Sequence, residues 1–273
     1  MTFFDIIMLD FAQRAFFIGI LAAFISGILG TYVVAGRYAI FSDMLAHTSL
    51  AGVGIGILFG FSPSLGGLGI ALLSAFVLWF FMRDKQYTSD AVTMVLLSGG
   101  LALALVLSHF AKNNTISLET FLFGSVLTVR PEEVWYFLGA SVCIGTFLLF
   151  FGSKLKTIVL DPSYAKSESR ISTSLIELFF FLSVAIFVGF SLKIIGGLLI
   201  GALLVIAVVT AQSFCKSFFS VLLWSVFFNV LAVIIGIFLS FYLDIPTGPS
   251  IVLFLIFQWI FVGILRLGIL RFS

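Results

Sequence analysis

The sequence predicts an all-α integral membrane protein, a polytopic helical bundle of eight or nine membrane-spanning helices forming one domain over residues 1–273. Three observations carry this. Hydrophobic residues make up 62% of the chain and charged ones 10%, whereas soluble domains carry about 25% charged residues. Mean hydropathy is +1.28, so the few charged side chains cannot cover a water-facing surface. The apolar residues also fall in runs near the roughly 20 that a helix needs to cross a bilayer.

In chain order the runs are 13–35, 40–60, 65–82, 91–110, 133–152, 174–192, 194–211, 218–242 and 249–266. The first follows MTFFDIIMLDFAQR, whose first basic residue is Arg14; it lacks the basic start of a signal peptide and is expected to be retained. The second contains Gly52, Gly54, Gly56 and Gly60, and the seventh opens on Gly196, Gly197 and Gly201. Small residues let membrane helices approach closely, and glycine also eases bending beside a substrate path. Asp90, after Thr88 and Ser89, is expected to cap the fourth run, and His109 marks where that run leaves the membrane. A piece at 118–128 is too short to cross and is expected to re-enter from one side, which protein surroundings permit. Glu177 reads as a first-turn acid of the sixth run. Cys143 and Cys215 lack CxxC spacing and read as small apolar packing residues.

Basic residues orient the chain. With the N-terminus outside and nine crossings, Arg37, Arg83, Lys85, Lys154, Lys156, Lys166, Arg170, Lys216, Arg266 and Arg271 are cytoplasmic, and Arg14, Lys112, Arg130 and Lys193 are not. The opposite orientation inverts that bias. The longest polar interruption, 153–173, then lies in the cytoplasm. Within it Asp161-Pro162 has the pattern of an N-cap followed by proline, which predicts a short surface helix at about 162–170. It reads either as a solvated connection or as a docking helix for a cytoplasmic partner.

Ionisable side chains within a membrane are costly and are functional candidates for that reason. Asp43 and His47, four positions apart in AIFSDMLAHTSLAGVGIGILFG, share one helical face. A carboxylate with an imidazole suits zinc, manganese or ferrous iron, and two ligands with open positions suit a passing ion better than a stored one. The other reading makes Asp43 a helix-start acid and His47 a hydrogen-bonding partner of a neighbouring helix. Ser42, Thr48 and Ser49 add hydroxyls nearby and favour a polar path. No GxxxxGK[ST] phosphate loop and no HExxH is present, so active transport needs a partner or an ion gradient. A net charge of +2 gives no sign of nucleic-acid binding.

GRYAIFSDMLAHTSLAGVGIGILFG resembles the signature of the zinc/manganese/iron-type ABC transporter permeases. FLFGSVLTV, LDPSYAKSESR, IIGGLLIGALLVIAVVTAQ and SFYLDIPTGPSIVL resemble further segments of that family in the same order, over roughly residues 10–265. The resemblance implies a type II importer in a bacterial cell (inner) membrane. Two permease copies would form the path, cytoplasmic ATP-binding subunits would drive it, and an external or periplasmic metal-binding protein would deliver the ion. On this chain Asp43 and His47 match the family's metal path. Asp161, Pro162, Ala165, Lys166, Glu168 and Arg170 match the ATPase-coupling loop, and Arg14 is a candidate for external docking. No permanently bound cofactor is implied, only a transported zinc, manganese or iron ion. The chain departs from the family pattern at Ser169, Ala207 and Gln212, where members carry a glycine, a proline and a basic residue. The rival class is a proton-coupled secondary metal transporter with Asp43 and His47 as the relay. An intramembrane enzyme would need a nucleophile–base pair that the sequence lacks.

Overall fold

The computed structural model describes residues 10–83, 87–110, 118–124, 131–168 and 170–272, which form helices and short turns. The helices are α1 (Asp10–Ala35), α2 (Ala39–Phe59), α3 (Pro63–Met82), α4 (Ser89–Phe110), α5 (Leu118–Phe123), α6 (Pro131–Leu160), α7 (Pro162–Glu168), α8 (Arg170–Ile195), α9 (Gly197–Gln212), α10 (Phe218–Leu243) and α11 (Thr247–Phe272).

Eight of them, α1 to α4, α6, α8, α10 and α11, are long and apolar enough to cross a membrane. The remaining apolar run is α9, with 16 residues; at 1.5 Å per residue it is roughly 24 Å long, short of the ~30 Å hydrocarbon core. The reason lies at its start. Gly196, at φ 91°, breaks the chain between α8 and α9 in a conformation that side-chain-bearing residues avoid. A Cβ on Gly197 would stand 3.5 Å from that of Ala46, in the first half of α2. The break therefore sits inside the bundle rather than at its outer rim, and α9 covers only the remaining depth. Gly124, the residue after α5, meets Gly196 backbone to backbone, so the short α5 reaches the same level as the break; residues 125–128 of the segment expected to re-enter lie outside the described residues.

α2 is the most buried of the spans, whereas α4 and α6 present most of their apolar surface outward. Its glycines make the burial possible. A Cβ on Gly52 or Gly66 would fall on the other's carbonyl oxygen, which locks α2 to α3 at backbone distance. On another side of α2, Gly100 of α4 lies against the Thr48 backbone, its Cβ position 2.8 Å from Thr48 Cα. Asn229 of α10, fully buried, donates from Nδ2 to Ser26 Oγ of α1 (3.0 Å) and to the Leu203 carbonyl of α9 (2.9 Å), tying three helices together.

Four expectations change. The segment 153–173 is helical almost throughout, because α6 continues to Leu160 and α8 already begins at Arg170; Lys154 and Lys156 ride the exposed surface of a helix that outruns the apolar layer. Glu177 consequently sits in the second turn of α8, not the first. The hydroxyl of Thr88, not Asp90, accepts the hydrogen bond that caps α4, from Ala91 N at 3.4 Å. Cys143 is exposed on α6 rather than packed inside, and Cys215 is half-buried in the turn before α10.

Candidate functional site

α2 begins after a tight turn in which Tyr38 N donates to the Val33 carbonyl (2.9 Å) and Arg37 takes φ 62°. The helix has no acidic residue in its first turn and no side-chain cap. Asp43 is therefore not a cap. It lies about 6 Å up the helix, with His47 about 12 Å up, on one face with Cβ atoms roughly 5–6 Å apart.

That face opens towards α9. The Asp43 carboxylate occupies the space a side chain at Gly201 would take: a Cβ there would collide with Oδ1. Gly201 thus makes room for the carboxylate, one turn beyond the start of α9, whose amide end favours negative charge. Asp43 is nevertheless exposed in the single chain, as is Ile40 one turn below it on the same stripe, while His47 is half-buried. His47 Nδ1 is buried and has no hydrogen-bond partner among the described residues. An exposed carboxylate on the most buried span, beside an imidazole nitrogen without a partner among the described residues, offers two donors of the kind that can ligate a cation. Among the described residues no cluster of three or more His, Cys, Asp or Glu forms, so the single chain offers no closed site.

The neighbouring hydroxyls take no part in this face. Ser42 Oγ donates to the Ala39 carbonyl (3.0 Å) and Thr48 Oγ1 to the Leu45 carbonyl (3.2 Å), so both are satisfied by their own helix. Ser49 Oγ is buried without a partner among the described residues. Glu177 is separate too. It accepts a hydrogen bond from Tyr38 Oη at 3.0 Å, and the accompanying Phe181 packs on Phe41, two residues and about 200° around the helix from Asp43. His109 is exposed in the last turn of α4, as expected of a residue leaving the membrane.

Below the bundle α7 has the predicted cap: Tyr164 N donates to Asp161 Oδ1 at 3.0 Å, with Pro162 in the first helical position. Ala165 is buried, and its carbonyl accepts from Thr173 Oγ1 of α8 (3.0 Å), while Tyr164 is exposed. Lys166 and Glu168 lie on α7 and Arg170 opens α8; Ser169 is outside the described residues. Arg14 is half-buried in α1. Ala207 is buried in α9, and Gln212 is exposed at its end.

The profile of the ABC 3 transport family matches residues 8–266. The chain belongs to that family. Its relatives include the high-affinity zinc uptake system membrane protein ZnuB of Haemophilus influenzae, 28% identical over 247 residues, 90% of this chain and 94% of the relative. Another is the manganese transport system membrane protein MntC of Halalkalibacterium halodurans, 26% identical over 252 residues, 92% of this chain and 86% of the relative. The fold matches PsaBC from Streptococcus pneumoniae, solved in complex with Fab, at TM-score 0.83 and 23% identity, covering 95% of this chain and 94% of that one. Like its family, this chain is a multi-pass membrane protein.

Sequence reasoning missed two features of this region. Gly201 was visible only as one of several small residues; nothing in the run announces which glycine faces the carboxylate. Tyr38 pairs with Glu177 across 139 positions, and no local pattern encodes that. A third polar contact, the Lys193–Glu133 ion pair joining α8 to the start of α6, lies near the outer ends of those helices.

Proposed function

We propose that this chain is the membrane-spanning permease of an ATP-driven importer for a divalent transition metal, zinc foremost, with manganese or iron as the other cargoes this donor set suits. The observation that carries it is the Asp43 carboxylate seated in the notch of Gly201 beside the unpartnered His47 Nδ1. Family membership supports the transport reading and weighs against a proton-coupled transporter working alone; the named zinc and manganese relatives support the cargo.

An exposed acid on α2 does not suit lipid. The stripe Ile40, Asp43, His47 adjoins the outward stripe Leu198, Ala202, Val205 and Val209 of α9, which supports a second copy of the chain closing this side. The path would then run between the two permeases, and each copy would add its own pair of ligands. A dication compensates the carboxylate, whose ionised form is otherwise costly away from water. An external metal-binding protein would hand the ion in at the outer end, with Arg14 a docking candidate. ATP-hydrolysing subunits would grip α7 and the start of α8, the stretch that holds Asp161, Pro162, Ala165, Lys166, Glu168 and Arg170.

Replacing Asp43 by Asn keeps shape and removes charge. Uptake of radioactive zinc or manganese should fall to background while the variant still co-purifies with its ATPase; undiminished uptake would remove Asp43 from the path.

A further inference from the structure

The first three turns of α8 carry contacts that join the two functional regions. Thr173 Oγ1 donates back to the Ala165 carbonyl of α7 at 3.0 Å. One turn on, Glu177 Oε1 receives the Tyr38 hydroxyl at 3.0 Å. One turn further, the Phe181 ring packs edge-on against Tyr38 (centroids 5.1 Å) and at a tilt against Phe41 (4.9 Å). Thr173, Glu177 and Phe181 are spaced i, i+4, i+8, one stripe of one helix. Tyr38 is the N-cap residue of α2, held in its turn by the Val33 carbonyl, and Asp43 follows five residues later on that helix. On another side Trp79 Nε1 of α3 donates to the Ser174 carbonyl at 2.9 Å, so the base of α8 is bonded to three elements at once.

We infer that the Tyr38–Glu177 hydrogen bond positions α2 relative to α8 during transport, carrying movement of α7 to the helix that bears Asp43 and His47. Tyr38 touches no cargo and is a positioning residue. Burial, and then the Glu177 carboxylate, push the Tyr38 hydroxyl above the ordinary tyrosine range, so it remains a donor throughout the physiological pH range. Away from water a phenol–carboxyl hydrogen bond is directional and costly to leave unmade. The hydrogen bond is directional where the ring contacts are not, and so bears on the register of α2 against α8.

The inference rests on the permease reading, and the experiment separates the two. The chain is co-expressed and purified with its ATPase, reconstituted into proteoliposomes, and assayed for zinc or manganese uptake and for ATP hydrolysis in the same vesicles. Tyr38→Phe keeps the ring on Phe181 and removes only the hydroxyl. Metal moved per ATP hydrolysed should fall by about tenfold, the size of a lost hydrogen bond to a charged group, with the complex intact and hydrolysis continuing. Glu177→Leu should lose the same amount, Glu177→Gln should recover most of it through its amide oxygen, and Tyr38→Phe with Glu177→Leu should be no worse than either alone. An unchanged ratio in Tyr38→Phe, or uptake and hydrolysis falling together as for a purely structural contact, overturns the link. Should Tyr38→Phe fail to assemble, the contrast between Glu177→Leu and Glu177→Gln decides. A wild-type complex that moves no divalent metal with ATP overturns the permease reading instead.

Discussion

At the scale of the residue, Asp43 is defined as much by the atom its neighbour lacks as by its own charge. Gly201 leaves the volume into which the carboxylate fits, so the two positions act as one feature. Gly201→Ala adds a single methyl group, suits a helix well, and must displace the carboxylate. Uptake should drop at least tenfold, an effect of about 1.4 kcal/mol or more on the path, with expression and thermal stability close to wild type. Retained uptake would mean that the carboxylate works elsewhere than against α9. His47 offers a different test. His47→Gln keeps a hydrogen-bonding side chain but exchanges a good transition-metal nitrogen for an amide, so zinc uptake should suffer more than manganese uptake in parallel isotope assays. Asp43 and His47 themselves were legible because charge in an apolar run stands out. Gly201 was not, since a glycine's role depends on which helix it faces, and that is a property of packing.

At the scale of the element, the lesson lies at the helix ends. The helix at 162–168 follows from Asp161-Pro162, and its cap forms as the local chemistry requires. Asp161→Ala should cost about 1 kcal/mol of local helix stability, read as faster amide exchange over 162–168, and should weaken stimulation of the partner ATPase without reducing zinc binding. The apolar runs marked the spanning helices because hydrophobicity is a local property. Their polar extensions escaped: α6 carries on through Lys154 and Lys156 to Leu160, since outside the lipid layer a helix no longer needs to be apolar. The eight-or-nine ambiguity has a physical origin as well. α9 is a short helix hung from an interior break at Gly196, and length criteria written for complete spans do not describe such a piece. Because φ 91° and ψ 145° there lie close to a region kept for glycine, and a Cβ would crowd the Phe123 carbonyl, Gly196→Ala should destabilise the α8–α9 junction by about 3 kcal/mol or more, seen as a lower melting temperature in detergent.

At the scale of the whole molecule, one orientation satisfies both the charges and the fold. The ends of consecutive long helices fall in two groups, Ala35 with Ala39, Met82 with Ser89, Leu160 with Arg170 and Gln212 with Phe218 on one side, and Phe59 with Pro63, Phe110 with Pro131 and Leu243 with Thr247 on the other. The sequence joining the first group carries the larger share of the basic residues, and such loops are retained in the cytoplasm. The same side holds α7, where the proposed ATP-hydrolysing partner would bind, and the other side holds the start of α6, where Glu133 meets Lys193. Orientation and coupling therefore stand or fall together. Cysteine labelling in intact cells tests them, starting from a chain with Cys143 and Cys215 changed to Ser. A cysteine replacing the exposed Glu132 should react with a membrane-impermeant maleimide added outside, and one replacing the exposed Tyr164 should react only after the cells are opened. The reverse pattern would put α7 outside, beyond the reach of any cytoplasmic ATPase, and would leave Asp43 open to an ion gradient as its only source of drive.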